Sequence, residues 1–167
     1  MIIRNEISND IKAIEDIILA AFTGLFSDNP TEHLVINELR KADALSLSLV
    51  AEVDEKVIGH VAFSKVTIDG VDKGWYGLGP ISVLPAWQRQ GVGSALIYKG
   101  LAKLRTIGAG GCVLEGSPDY YQCFGFKSYP ELVYELTPSP KYFMALPFGR
   151  TIPNGIVEYH KAFYVQA

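Results

Sequence analysis

Around residue 90 the chain carries residue types suited to holding a phosphate. The run Val83-Leu84-Pro85-Ala86-Trp87-Gln88-Arg89-Gln90-Gly91-Val92-Gly93-Ser94 reads as the end of a strand, a tight turn and the first turn of a helix. Upstream, Leu78 to Val83 is apolar and of strand type, and Pro85 stops it by removing a donor and fixing φ. Downstream, apolar or small residues at 93, 96, 97, 100, 104 and 107 have the spacing of one helix face. At a helix start several N–H groups lack intrahelical partners and carry the positive end of the dipole, so a phosphate placed there is both hydrogen-bonded and charge-matched. Gly91 and Gly93 suit that use, because without a Cβ they permit positive φ and close approach of a bulky anion. Their cost in helix propensity is roughly 1 kcal/mol each. The same pair also suits a tight turn with close helix-to-sheet packing, and alone it does not separate the two uses. Spacing excludes two other nucleotide motifs. A P-loop needs Lys after its second Gly, where Ser94 stands; the dinucleotide fingerprint needs a third Gly at Leu96.

Three segments together resemble the GNAT superfamily of acyl-CoA-dependent N-acetyltransferases. Gln88-Arg89-Gln90-Gly91-Val92-Gly93 resembles its Gln/Arg-x-x-Gly-x-Gly/Ala signature, whose amides grip the coenzyme A pyrophosphate. Ile81-Ser82-Val83-Leu84-Pro85 resembles the end of the family's fourth strand, and Tyr121-Gln122-Cys123-Phe124-Gly125-Phe126 its Tyr-x-x-x-Gly-Phe segment near the acyl site. The matched segments span about residues 78 to 128 in the family's order. The resemblance implies acetyl-CoA as co-substrate, held by Ile81, Ser82, Val83, Gln88, Arg89, Gln90, Gly91, Val92, Gly93 and Ser94. It implies an amine acceptor, a small molecule or a protein, and an acceptor site shaped by Phe22, Leu25 and Phe26, residues whose other reading is core packing.

Acyl transfer to an amine needs aligned reactants, a neutral nucleophile, an oxyanion donor and a proton for the departing thiolate. A lysine-like amine has a pKa of about 10.4, so presenting it uncharged near neutral pH costs on the order of 4 to 5 kcal/mol. The resemblance makes the Val83 amide the oxyanion donor, gives the backbone of Ile81 and Val83 to the pantetheine arm, and makes Tyr121 the acid; the adjacent Tyr120 is the alternative. Gly79-Pro80 breaks regular ladder pairing, as a bulge or a plain kink. Glu115, at the end of the Cys112 strand, is the candidate base on the expectation that burial raises its pKa, with Glu52 and Asp119 as competitors. His60 reads as a satisfied histidine of an apolar strand. Cys123 has no neighbouring partner that would make it a nucleophile. A non-catalytic acyl-CoA sensor or interaction module is the alternative function, and a structural partner protein with an aromatic interface is a third.

The elements that must position these groups follow from periodicity. Ile2 to Glu6 reads as a strand, Ser8-Asn9-Asp10 as caps for a helix ending near Phe22, and Asn29 with Pro30 as cap and first turn of a helix to about Lys41. Ser46 to Val53 and Lys56 to Val66 form a hairpin around Asp54-Glu55, and Asp69-Gly70 turns into Lys73 through Val83. After the long helix, Gly108 to Gly111 ends it and Cys112-Val113-Leu114 is a buried strand, parallel to its predecessor because a helix crosses between them. Pro118 to Phe124 reads as a short helix, with strands from Phe126, at Val133 to Leu136 and at Gly155 to Tyr159. The fold class is therefore α/β of the α+β type, a mixed and mostly antiparallel sheet of six or seven strands flanked by helices. One domain over residues 1–167 is expected, with 129–167 a strand-rich extension whose Pro and aromatic residues suit an edge hairpin or the arm of a homodimer.

Composition agrees with one buried core: 167 residues, 49 % of them hydrophobic. Fifteen Lys and Arg against eighteen Asp and Glu give a formal charge of −3 without long runs of one sign, which offers no footprint for nucleic acid or an acidic membrane. No run approaches the roughly 20 apolar residues of a bilayer span, and the N-terminus lacks a signal-peptide core, so a cytoplasmic location is expected. Two cysteines and three scattered histidines give no zinc spacing, and no metal is expected.

Overall fold

The computed structural model describes residues 1–25 and 29–164. Its strands are β1 (Ile2–Asn5), β2 (Leu47–Val53), β3 (Lys56–Lys65), β4 (Thr67–Ile68), β5 (Trp75–Val83), β6 (Gly111–Glu115), β7 (Leu132–Val133), β8 (Phe143–Pro147) and β9 (Gly155–Glu158). Its α-helices are α1 (Ile11–Phe22), α2 (Glu32–Lys41), α3 (Val92–Thr106) and the single turn α4 (Pro118–Tyr121). Six strands pair in the order β1-β2-β3-β5-β6-β8, and three short ones in the order β4-β9-β7. The larger sheet is mostly antiparallel, with β5 and β6 parallel as the helical crossover requires. The chain divides into two compact units interleaved in sequence: Met1–Phe63 with Gly79–Gly100 and the segment from Lys161, and Ser64–Leu78 with Leu101–His160.

In the first unit, β1 and β2 and then β2 and β3 pair antiparallel, and α1 and α2 cover one face. The hairpin turns at Asp54 and Glu55 with φ of 49° and 64°, the left-handed pair that matches strand twist in a two-residue loop. Ile14 and Ile18 of α1, Val35, Ile36 and Leu39 of α2, and Val50 and Ala62 of the strands form its core, with Ala162 closing it. The first part of α3 lies close to β3, because Gly59 carries no side chain there. A Cβ at Gly59 would stand 3.0 Å from Val92 Cγ1 and 3.2 Å from Leu96 Cδ1. Gly100 likewise meets the Phe63 ring directly.

Local chemistry moved the start of one helix and removed the expected side-chain cap of another. Helix α2 begins at Glu32 with Thr31 as N-cap, whose carbonyl accepts from Leu34 and Val35 at 2.9 and 3.1 Å, so Asn29 and Pro30 precede the helix rather than cap it. Asp10 does not cap α1 with its side chain; its carboxylate turns back to the Ile7 N–H at 2.7 Å and to Arg4 at 2.7 and 3.0 Å.

In the second unit, β6 pairs parallel with Trp75 to Gly77 and antiparallel with β8. Strand β8 was not expected, because Pro140 in the turn before it and Pro147 as its last residue masked it; Pro147 lies opposite Gly111. The segment from Phe126 forms only an isolated bridge between Lys127 and Ala145, not a strand. Trp75, Val113, Phe143 and Val157 build this unit's core, and Tyr134 packs against both Phe143 and Tyr159 with ring centroids 5.2 Å apart. Phe143 of the aromatic tail is thus core material. Helix α3 ends in a Schellman motif: Gly108 has φ of 80°, its N–H reaches Arg105 O, and Ala109 N–H reaches Leu104 O at 3.1 Å. Ile107 falls in this cap and is exposed, so the buried face of α3 runs through Val92, Leu96, Ile97, Leu101 and Leu104 instead.

Candidate active site

The phosphate-type turn lies in the first unit and is open to solvent. From Gln88 to Gly91 every residue is exposed, whereas Val92 behind them is buried. Leu84 leads into a 3-10 turn over Pro85–Trp87, and two side-chain amides brace the residues after it. Gln88 donates to the Val83 carbonyl and Gln90 to the Ala86 carbonyl, each at 3.0 Å. The backbone then passes through the left-handed region twice, at Arg89 with φ of 63° and Gly91 with φ of 85°. For Arg89 that conformation costs roughly 1–2 kcal/mol, a strain held by the two glutamine braces. Gly91 is the left-handed glycine; Gly93, expected to share that role, is already helical within α3.

The first helical bond runs from Ala95 N–H to Gly91 O at 3.0 Å, which makes Gly91 the N-cap. The N–H groups of Val92, Gly93 and Ser94 precede that bond and have no intrahelical acceptor. A Cβ built on Gly91 would meet nothing within 4 Å, so open space lies beside the free amides. This is the geometry of an anion seat at a helix N-terminus.

Strand β5 delivers the chain to that turn. Leu84 N–H donates to Ile58 O at 2.9 Å, which sets the even-numbered residues toward β3. By the two-residue alternation, the backbone groups of Ile81 and Val83 point to the opposite edge. The Val83 carbonyl on that edge is taken by Gln88, leaving its N–H as the outward donor. Ser82 faces otherwise, with its side chain buried and its Oγ unpartnered.

The aromatic segment lies in the second unit. Tyr121 ends α4, and its ring packs on Phe124 and Phe126 with centroids 6.3 and 6.2 Å away and edge-on to Tyr120 at 4.8 Å. A Cβ at Gly116 would stand 2.5 Å from Tyr121 Cε2, so that glycine, which carries no signal in the sequence, is what lets the ring lie against the backbone after β6. Burial pushes the Tyr121 phenol up to about 12, and Tyr120 adds to it. Tyr120 itself is exposed, which distinguishes the two neighbours. Gly125, with φ of 97°, turns the chain after Phe124.

Glu115 ends β6 opposite Phe143, but it is exposed, so the burial expected of it is not there. Asp119 is exposed as well. Glu52 is tied to Arg4 at 3.1 Å. Of the acceptor-site candidates, Phe22 ends α1 and is half-buried against the first core, Leu25 is exposed, and Phe26 lies outside the described residues.

His60 is not a surface residue. It is fully buried on β3, its Nε2 lies 2.7 Å from Ser48 Oγ, and Ser48 donates in turn to Glu6, which Arg40 clasps through two nitrogens at 3.1 Å. Burial pushes the imidazole down to about 4, against the nearby Glu6 carboxylate.

The mixed sheet with a helical crossover after an open, glycine-capped turn is an α/β fold, and the family model for the acetyltransferase (GNAT) family matches residues 11–126: the chain belongs to that family. Along 98 % of both chains it is 33 % identical to YhbS of Escherichia coli K12, which is named an uncharacterized N-acetyltransferase. Among solved structures, it is similar to a GNAT acetyltransferase from Brucella melitensis in complex with acetyl-CoA, with 49 % identity, a TM-score of 0.87 and 97 % of each chain covered. It is also similar to Escherichia coli YhbS in complex with CoA, with 32 % identity, a TM-score of 0.91, and 99 % of this chain and 93 % of that one covered. Among the described residues, no helix is long and apolar enough to cross a membrane.

Proposed function

We propose that this protein is an N-acetyltransferase that moves an acetyl group from acetyl-CoA to a primary amine by direct attack in a ternary complex. The observation that carries the reading is the exposed turn from Gln88 to Gly91, with the unpaired amides of Val92, Gly93 and Ser94 and open space beside Gly91. The acetyl-CoA and CoA complexes of the two similar structures support it.

Acetyl-CoA supplies an activated acyl carbonyl with a thiolate leaving group. In this reading the amides at the start of α3 hold its diphosphate, and the outward backbone groups of Ile81 and Val83 align its pantetheine arm as an added strand would. The Val83 N–H stabilises the oxyanion, a donor worth roughly 3 kcal/mol in comparable sites. The amine nitrogen bonds to the acyl carbon as the carbon–sulfur bond breaks, the amine proton leaves to solvent by way of Glu115, and the Tyr121 phenol protonates the thiolate. A phenol held protonated by burial suits that task because it gives its proton only to a strong base. Phe22, Leu25 and Phe26 shape the acceptor side.

Calorimetric titration with acetyl-CoA is the test of the first half: saturable binding is expected, and no heat at millimolar ligand overturns it. Steady release of free thiol with members of an amine panel tests the second half. Binding without thiol release from any amine would replace the enzyme by an acyl-CoA-binding module.

A further inference from the structure

The second unit holds a cavity of about 590 Å³ to which the acetyl-transfer reading gives no role. Its volume is that of a small-molecule site. Lys73 and Arg105 line it, and no Asp or Glu does. The adjacent Asp72 is turned elsewhere, accepting from Lys65 at 3.0 Å and from the Gly74 N–H at 2.9 Å, so it does not neutralise the lining. Among the described residues, the ion pairs of this chain include neither Lys73 nor Arg105.

The walls are flat. Trp75 lies against the backbone of Gly110, where a Cβ would stand 2.8 Å from the indole Nε1. The Arg105 guanidinium sits over the Phe148 ring, 4.5 Å from its centroid, which fixes the plane of its five donors. A fixed guanidinium fork matches the two oxygens of a carboxylate, and Lys73 adds a second positive charge without directional demand. The Phe148 ring, with the exposed edge of Trp75 beside it, favours a planar body over a branched one.

We propose that this cavity binds a small planar organic anion, with an aromatic carboxylate as its simplest form: the carboxylate on Arg105 and Lys73, the ring beside Phe148 and the small exposed edge of Trp75. Inorganic phosphate shares the charge but lacks the flat body, and a neutral aromatic amide shares the body but lacks the charge. The proposal stands or falls independently of acetyl-CoA binding, which involves none of these residues.

The chain has two tryptophans, so Trp87→Phe leaves Trp75 as the only indole reporter. In that background, titration with sodium benzoate is expected to change Trp75 emission saturably, with benzamide and inorganic phosphate each at least about tenfold weaker, the loss expected on removing one charge-assisted pair or the stacking surface. Lys73→Gln and Arg105→Gln are each expected to weaken benzoate by a similar factor while acetyl-CoA binding by calorimetry stays unchanged. Equal response to benzoate and benzamide, a response that never saturates, or benzoate binding undiminished in Lys73→Gln would overturn the proposal. Lys73→Gln decides the matter should Arg105→Gln, which also loses its contact with Phe148, fail to fold.

Discussion

The Gln88 side-chain amide holds the Val83 carbonyl at 3.0 Å, so the residue that opens the turn before α3 is tied to the last residue of the strand before it. One hydrogen bond therefore ties the turn to β5 and occupies the Val83 carbonyl. An exposed bond of this kind contributes about 0.5–1 kcal/mol to stability. Gln88→Ala should barely move the urea midpoint, yet weaken coenzyme A about threefold to tenfold in a calorimetric titration, because the amides lose their fixed aim. Unchanged affinity would mean that Gln88 is a bystander.

Gly91 carries two separable demands, a backbone at φ of 85° and a seat free of side chain. Gly91→Ala tests the first and should cost about 1 kcal/mol of stability, since an alanine is strained in the left-handed region. Gly91→Glu tests both and adds a negative charge where a diphosphate would sit. Its affinity for coenzyme A should fall by a factor on the order of a hundred or more, while its circular dichroism stays that of the parent. Coenzyme A binding retained by Gly91→Glu would remove the turn from the site.

Tyr121 and Gly116 form a pair in which the glycine makes room for the ring. Tyr121→Phe keeps the ring and its stacking on Phe124 and Phe126 but removes the proton. Its kcat for thiol release should drop by about 10²- to 10³-fold, the usual share of a general acid, with the KM for acetyl-CoA nearly unchanged. Tyr120→Phe, on the exposed neighbour, should leave kcat within about twofold, which resolves the ambiguity between the two tyrosines. The reverse ranking would exchange their roles.

The strand, turn and helix around Gln88 to Ser94 were legible because their signals are local: a strand stop at Pro85, a glycine at the cap and an apolar face beyond it. The turn's strained residue was not, since nothing in the type or spacing of Arg89 announces the φ of 63° that accompanies the short-range bonds of Gln88 and Gln90 back to Val83 and Ala86. Strand β8 was hidden for a related reason. Its five residues gain their conformation from pairing with β6, a contact distant in sequence, while the flanking prolines signal a loop. Glu115 failed the expectation placed on it because a strand end says where a carboxylate starts and not how much protein covers it. His60 was readable as a core residue from its apolar strand, but its partners Ser48 and Glu6 come from two other segments that only the folded ladder brings alongside.

That buried histidine makes an acid-sensitive element of the first unit. An unfolded histidine titrates near pH 6.5, whereas burial pushes folded His60 down to about 4, outweighing the attraction of Glu6 and acting with the repulsion from Arg40. Between those values the unfolded chain takes up a proton that the folded chain refuses. Stability from this group is therefore full above about pH 6.5 and is lost progressively as pH falls toward 4, by about 3 kcal/mol in all. The carboxylates act lower: Arg4 holds Asp10 below the usual carboxylate range, so its contribution is lost only at more acid pH. Urea denaturation between pH 4.5 and 7.5 should show the midpoint falling steadily below about 6.5 in the parent protein. In His60→Gln, which keeps a donor for Ser48 but cannot titrate, the midpoint should start lower and stay nearly level over the same interval. Parallel curves for the two proteins would assign the acid sensitivity to other groups and leave His60 a purely steric filler of the sheet.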